Sequence, residues 1–160
     1  EASQRLSSGQ VKYAVLNEPQ SSIASLNAKK ANVELYRVLD LTEEWGKLPG
    51  QKHKKFPMAG IVVVNGSGVA SEQVAGFQKA YIEEARWVNE HGQEAGPIVE
   101  KHVPTMKAKA VTESIQYARL DPRPAIECQA EVVDFFKELA TTADINAFGG
   151  KLPDDAFFYK

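Results

Sequence analysis

The sequence has a single cysteine, Cys128, and its longest apolar run extends only from Ala59 to Val64. One cysteine cannot form an internal disulfide, a four-cysteine zinc site or a Cys-x-x-Cys redox pair. The apolar run is far shorter than the roughly 20 residues of a membrane-spanning helix. An excess of positive charge is also missing, because 19 Lys and Arg against 21 Asp and Glu give a net charge of −2. The chain therefore lacks the basic field that non-specific nucleic-acid binding requires.

Sequence motifs for catalysis and metal binding are missing as well. The segment 66–68 (GSG) follows an apolar run, but Ser71 stands where the third glycine of a dinucleotide-binding loop would be, and no phosphate-loop lysine follows. His53, His91 and His102 do not have the close spacing of metal ligands. No Gly-x-Ser-x-Gly nucleophile motif is present. We therefore expect no enzymatic activity, no metal site and no cofactor.

Three short segments have the composition of buried β-strands. They are Val11–Leu16 (VKYAVL), Val33–Leu39 (VELYRVL) and Phe56–Val64 (FPMAGIVVV). Between the first two, Pro19 opens a segment to Lys30 that is typical of a helix. Alternation of helix and strand predicts an α/β fold in which parallel-sheet layers are flanked by helices.

The rest of the chain is predicted to be mainly helical. A short helix ends before Gly9, which suits the position after a helix C-terminus, and a helical turn follows Asp40. A long helix starts at Ser71, and its apolar stripe recurs at helical spacing through Val74, Phe77, Tyr81, Ala85 and Val88. Further helices are expected over residues 93–102, 107–115 and 125–141. Three aromatic residues at 157–159 are expected to pack against the protein.

A candidate binding site lies where the first predicted strand ends and the next helix begins. Ligands of open parallel sheets bind at the carboxyl ends of strands, and a helix N-terminus offers free N–H groups. Asn17, Glu18, Ser21 and Ser22 supply polar side chains at this place. The Glu18 carboxylate would favour a ligand with N–H donors or an amine. The alternative is that Asn17 and Glu18 only cap the helix, and the sequence leaves both interpretations open.

Several segments resemble the substrate-binding proteins of ABC importers, of the nitrate/sulfonate/taurine and thiamine-precursor type. The run LSSGQVKYAVLNEP matches the family pattern at Leu6, Gly9, Val11, Ala14, Val15, Leu16, Glu18 and Pro19. Lys12 and Tyr13 depart from it, since aspartate and alanine are usual there. The runs FPMAGIVVV and LPDDAFFY are also similar to family segments. The matches follow in order through most of the chain, but the family is roughly twice as long, so the chain resembles a C-terminal piece or a short relative.

The resemblance implies a partial type II periplasmic-binding-protein-like fold with a cleft between two lobes. Residues 1–56 would form the end of the second, ligand-binding lobe. Residues 57–160 would form the hinge return strand and the C-terminal helical part of the first lobe. Pro57 and Gly60 would lie at the hinge. The expected ligand-binding residues are Asn17, Glu18, Ser21, Met58 and Ala59.

The function implied by the resemblance is capture of a small nitrogen- or sulfur-containing metabolite for an importer. The partners would be this solute and a membrane permease, at the periplasmic or extracellular face of the cytoplasmic membrane. Any membrane attachment would come from the permease or from a lipid anchor outside the chain. Two alternatives share a related fold: an effector-sensing domain of a transcription regulator, and a thiamine-pyrimidine-synthase-like enzyme. The enzyme would need a cysteine-rich iron site, which a chain with one cysteine lacks. A partner-binding domain without a small ligand is a further alternative.

Overall fold

The structure, a computed structural model, describes residues 1–159, and the regular elements in this range are helices. Seven α-helices are followed by two short 3-10 helices at Ile145–Phe148 and Asp155–Phe157. The α-helices are α1 (Ala2–Ser7), α2 (Gln20–Lys30), α3 (Leu41–Lys47), α4 (Ser71–Glu90), α5 (Gly92–His102), α6 (Ala108–Ala118) and α7 (Gln129–Thr142).

The predicted α/β fold class is wrong for the described residues, since none of them forms a β-strand. The same finding overturns the parallel-sheet layers of the partial type II periplasmic-binding-protein-like fold. The runs Val11–Leu16, Val33–Leu39 and Phe56–Val64 are irregular, and no backbone hydrogen bond among residues 1–159 joins one run to another. A strand needs a hydrogen-bonded neighbour, and these runs have none. Their apolar side chains are largely exposed; Val62, for example, is 76% exposed.

The helical predictions are confirmed with small shifts of their ends. The backbone at Gly9 has φ +74°, and the Gln10 N–H donates to the Arg5 carbonyl, which closes the C-terminus of α1. The Asp40 carboxylate accepts hydrogen bonds from the N–H groups of Thr42 and Glu43 and caps α3. The long α4 covers the predicted apolar stripe, although Phe77 on that stripe is exposed.

The chain divides into two units, of which unit 1 comprises residues 1–37 and 80–122. Its main packing contact is the α5–α6 pair, where small residues bring the two helix backbones close together. Ala95, Gly96, Ala110, Val111 and Ser114 are buried at or near this contact. A Cβ atom built on Gly96 would lie 2.6 Å from the Ala108 carbonyl oxygen, so this helix pair requires glycine there.

Unit 2 comprises residues 38–79 and 123–159 and contains a cluster of aromatic rings. Phe56 and Phe135 stack with centroids 5.7 Å apart, and Trp45 meets both edge-on at 5.5 Å. Offset and edge-to-face contacts of this kind are the preferred aromatic geometries. The prediction that the terminal aromatics pack is confirmed for Phe158, which is 4% exposed, but Phe157 (58%) and Tyr159 (40%) are exposed.

The predicted lobe boundary between residues 56 and 57 falls inside unit 2, and the assignment of lobes stays a prediction. Along residues 1–159, no helix combines the length and the apolar character needed to cross a membrane.

Candidate functional site

The first turn of α2 brings the polar residues of the predicted binding site together. The Ser21 N–H donates to the Asn17 carbonyl at 3.0 Å, and the Ser22 N–H donates to the Glu18 carboxylate Oε2 at 3.2 Å. Glu18 therefore caps the helix and places a negative charge at the positive end of its dipole. For Glu18, helix capping was one of the two interpretations that the sequence left open.

Arg37 joins this turn from the irregular segment after α2. Its Nη2 donates to Glu18 Oε1 at 2.7 Å and to Ser22 Oγ at 3.0 Å. The ion pair is unequally exposed, because the Arg37 side chain is 37% exposed and the Glu18 side chain only 10%. Arg37, the cationic partner, is therefore the more accessible residue of the ion pair.

Tyr117 of α6 supports the Arg37 guanidinium from one face. The guanidinium carbon Cζ lies 3.8 Å from the centroid of the Tyr117 ring, which is the geometry of a cation–π contact. We call Glu18, Ser22, Arg37 and Tyr117 the Arg37 cluster. All four residues belong to unit 1.

The hydrogen-bonding capacity of the Arg37 cluster is only partly used. Glu18 Oε1 accepts a hydrogen bond from Arg37 Nη2, and Glu18 Oε2 accepts one from the Ser22 N–H. Among the described residues of unit 1, by contrast, none accepts a hydrogen bond from Arg37 Nη1 or Nε. Arg37 therefore keeps N–H groups that no described residue of unit 1 accepts.

Of the other residues predicted at the site, two belong to unit 1 and two to unit 2. Asn17 is exposed, whereas Ser21 is half-buried. Met58 and Ala59 belong to unit 2, where Met58 is 67% exposed. Pro57 and Gly60 lie in the same irregular segment, and their hinge role stays a prediction.

Sequence reasoning missed Arg37 and Tyr117. Arg37 lies in a run that was interpreted as a buried strand, and it is separated from Glu18 by 19 positions. The run Val33–Leu39 contains two charged residues, Glu34 and Arg37, and a charge inside a β-type run was the one available signal. Nothing in the sequence around Tyr117 indicated a role at the site, because only the fold brings its ring against Arg37.

A second polar group lies in unit 2. The His53 Nε2 lies 3.3 Å from the Asp134 Oδ2, and the Lys137 Nζ donates to the other oxygen of the same carboxylate at 3.1 Å. Hydrogen bonds from Lys137 and His53 hold the pKa of Asp134 below its ordinary value. Over the described range 1–159, no group of three or more His, Cys, Asp or Glu is placed to hold a metal ion.

Two surface grooves also lie in unit 1. One of about 580 Å³ is lined by residues of α4 and α5, including Trp87, Val88 and Ile98. The other, of about 370 Å³, lies between α5 and α6 beside Pro97 and Thr112. Neither groove includes a residue of the Arg37 cluster, and neither shows the convergent set of hydrogen bonds that the cluster has.

Comparison of the sequence with protein-family models and curated proteins, and of the structure with solved structures, finds no match.

Proposed function

We propose that the chain belongs to a solute-binding component of an ABC importer and that its Arg37 cluster contacts the solute. The resemblance of its sequence to this class of protein supports the importer assignment. The observation that carries the binding role is the convergence of Glu18, Ser22 and Arg37 at the start of α2, with unused donors on Arg37.

The role proposed is reversible capture without chemical change. Such a protein binds a small metabolite outside the cytoplasmic membrane and passes it to a permease. A binding group for this task should be held in position before the ligand arrives, because ordering it on binding costs affinity. The hydrogen bonds to Glu18 and Ser22 and the contact with Tyr117 hold Arg37 in this way.

Native mass spectrometry of the protein purified without denaturant tests this function. We expect an excess mass of a few hundred daltons or less that is lost on mild activation, because the solute is bound non-covalently. The released solute should have the same mass before and after incubation with the protein, since capture does not alter it. A bare protein mass that persists after incubation with a metabolite extract would contradict the proposal, as would conversion of the solute.

A further inference from the structure

The groove between α4 and α5 in unit 1 has a largely apolar lining. It has a volume of about 580 Å³, and its apolar lining residues are Trp87, Val88, Ala95, Ile98 and Val99. Ala95 is 2% exposed, whereas Ile98 is 49% exposed. Part of the apolar lining is therefore open to the solvent. A concave site with exposed apolar side chains is typical of a place where another molecule binds.

The charged residues that line this groove are both acidic. They are Glu83 and Glu84, and the described lining contains no Lys or Arg. Both glutamates are exposed. Glu84 also forms no hydrogen bond or ion pair with a described residue of unit 1. Two carboxylates without a basic neighbour in the same groove attract cationic groups, so the complement of this surface combines apolar and cationic side chains.

Both walls of the groove are helices, and their lining residues recur at helical spacing. Glu84 and Val88 are four positions apart on α4, as are Ala95 and Val99 on α5. Two such rows of side chains leave between them the kind of groove into which a third helix packs. A helix bound in this way places apolar side chains three and four positions apart into the groove.

Trp87 is held in position before a partner binds. Its indole ring stacks on the His91 imidazole, with centroids 4.9 Å apart and an interplanar angle of 8°. The His91 Nδ1 donates to the Trp87 carbonyl oxygen at 3.0 Å, which holds the imidazole against the end of α4. Ordering this side chain on binding therefore costs little entropy. Tryptophan is also among the residues that contribute most energy to protein interfaces.

We propose that the α4–α5 groove is a docking site for a basic amphipathic helix of a partner protein. The apolar side chains of this helix pack against Trp87, Val88 and Ile98. Its Lys or Arg side chains pair with Glu84, and Glu83 adds to the negative charge that attracts them. The groove shares no residue with the Arg37 cluster, so this binding role is additional to solute capture.

Titration of nitrogen-15-labelled protein with synthetic peptides tests the docking site through the two tryptophan indole Nε1–H resonances. The peptides are about 18 residues long, with Leu at the apolar positions of a helix and either Lys or Glu at the other positions. Loss of one resonance in Trp87→Phe or in Trp45→Phe assigns both. Trp45 is the internal control, because its Nε1 is buried and it belongs to unit 2.

We expect a saturable shift of the Trp87 resonance with the Leu/Lys peptide, no saturable shift of the Trp45 resonance, and much weaker binding of the Leu/Glu peptide. Absence of a saturable Trp87 shift with the Leu/Lys peptide would overturn the proposal. Equal affinity for the two peptides would overturn it as well, since the charge of the groove would then select nothing. A Trp87 shift that depends on protein concentration alone would replace the partner helix by a second copy of the chain.

Substitution of Ile98 tests the apolar contact. Ile98→Gln should weaken binding of the Leu/Lys peptide by about 5- to 30-fold, because roughly half of an isoleucine side chain would lose its burial. Ile126→Gln is the matched control, since Ile126 is 48% exposed, close to the 49% of Ile98, and does not line the groove. An equal loss of affinity in the two variants would overturn the role of Ile98.

Substitution of Glu84 tests the charge of the groove. Glu84→Gln should weaken binding of the Leu/Lys peptide by about 2- to 5-fold, the usual range for an exposed ion pair. Glu90→Gln should have little effect, because Glu90 is exposed on the same helix but does not line the groove. Equal effects of the two substitutions would show a general influence of net charge and would contradict the pairing with Glu84. The titration of the unsubstituted protein stands even where a variant folds poorly.

Discussion

Substitution of Gly96 by alanine should destabilise the α5–α6 pair, although alanine is the better helix former. The added Cβ would collide with Thr112 Oγ1 and would lie 2.6 Å from the Ala108 carbonyl oxygen. Thr112 can rotate away only by giving up its hydrogen bond to the Gly92 carbonyl, at 3.2 Å. The Ala108 carbonyl belongs to the backbone, so it moves only if α6 moves away from α5.

The expected change in the free energy of unfolding is the sum of two destabilising contributions and one stabilising contribution. Overpacking a close contact costs roughly 2 kcal/mol. Loss of the Thr112 hydrogen bond costs about 1 kcal/mol. The better helix propensity of alanine returns about 1 kcal/mol. Gly96→Ala should therefore lower the free energy of unfolding by about 2 kcal/mol, in a range of roughly 1–3 kcal/mol that is typical of overpacking.

Urea denaturation followed by far-ultraviolet circular dichroism measures this change, with Gly76→Ala as the matched control. Gly76 also lies inside a helix, α4, but a Cβ atom there meets no other atom within 4 Å. Gly76→Ala should therefore raise stability by about 0.5–1 kcal/mol. The two identical substitutions should thus have opposite signs. A Gly96→Ala protein as stable as the unsubstituted one would refute the close approach of α5 and α6.

Three further predictions concern the surface and the ion pairs. Glu131→Gln should lower stability at neutral pH by up to about 1 kcal/mol. Hydrogen bonding to Arg123 lowers the pKa of Glu131 in the folded protein, so its contribution is lost as pH falls through that lowered value. Denaturation midpoints of the two proteins should hence converge on acidification, and a constant difference would contradict this. Glu18→Ala should cost about 1 kcal/mol through the lost cap of α2; an unchanged stability in the same denaturation assay would argue against the cap. Val62→Lys combined with Val64→Lys should reduce binding of a hydrophobic dye and self-association, because both valines are exposed in an uncharged β-type run; unchanged dye fluorescence and sedimentation would contradict it.

Helices were predictable because their signals are local. Gly9 after α1 and the stripe from Val74 to Val88 each specify their conformation through residues a few positions apart. The beginning of α2 was likewise predictable from a local signal, because Pro19 directly precedes its first residue. Prediction from sequence was therefore sound wherever the determining contacts lie within one or two helical turns.

Strands were mispredicted because their formation depends on partners that the local pattern does not reveal. Ile61 to Val64 has the β-branched composition of a buried strand. Among residues 1–159, however, no second strand pairs with it. Arg37 was missed for a related reason. Its interaction with Glu18 spans 19 positions, and its contact with Tyr117 depends on where α6 lies.

The measurement that tests the account most directly is the native mass spectrum of three proteins purified side by side. They are the unsubstituted protein, Arg37→Gln and Arg123→Gln. We predict a releasable solute on the unsubstituted protein and on Arg123→Gln, and its loss or strong depletion on Arg37→Gln, because the Arg37 guanidinium holds it. The same solute at equal occupancy on all three proteins would contradict the central role of the Arg37 cluster.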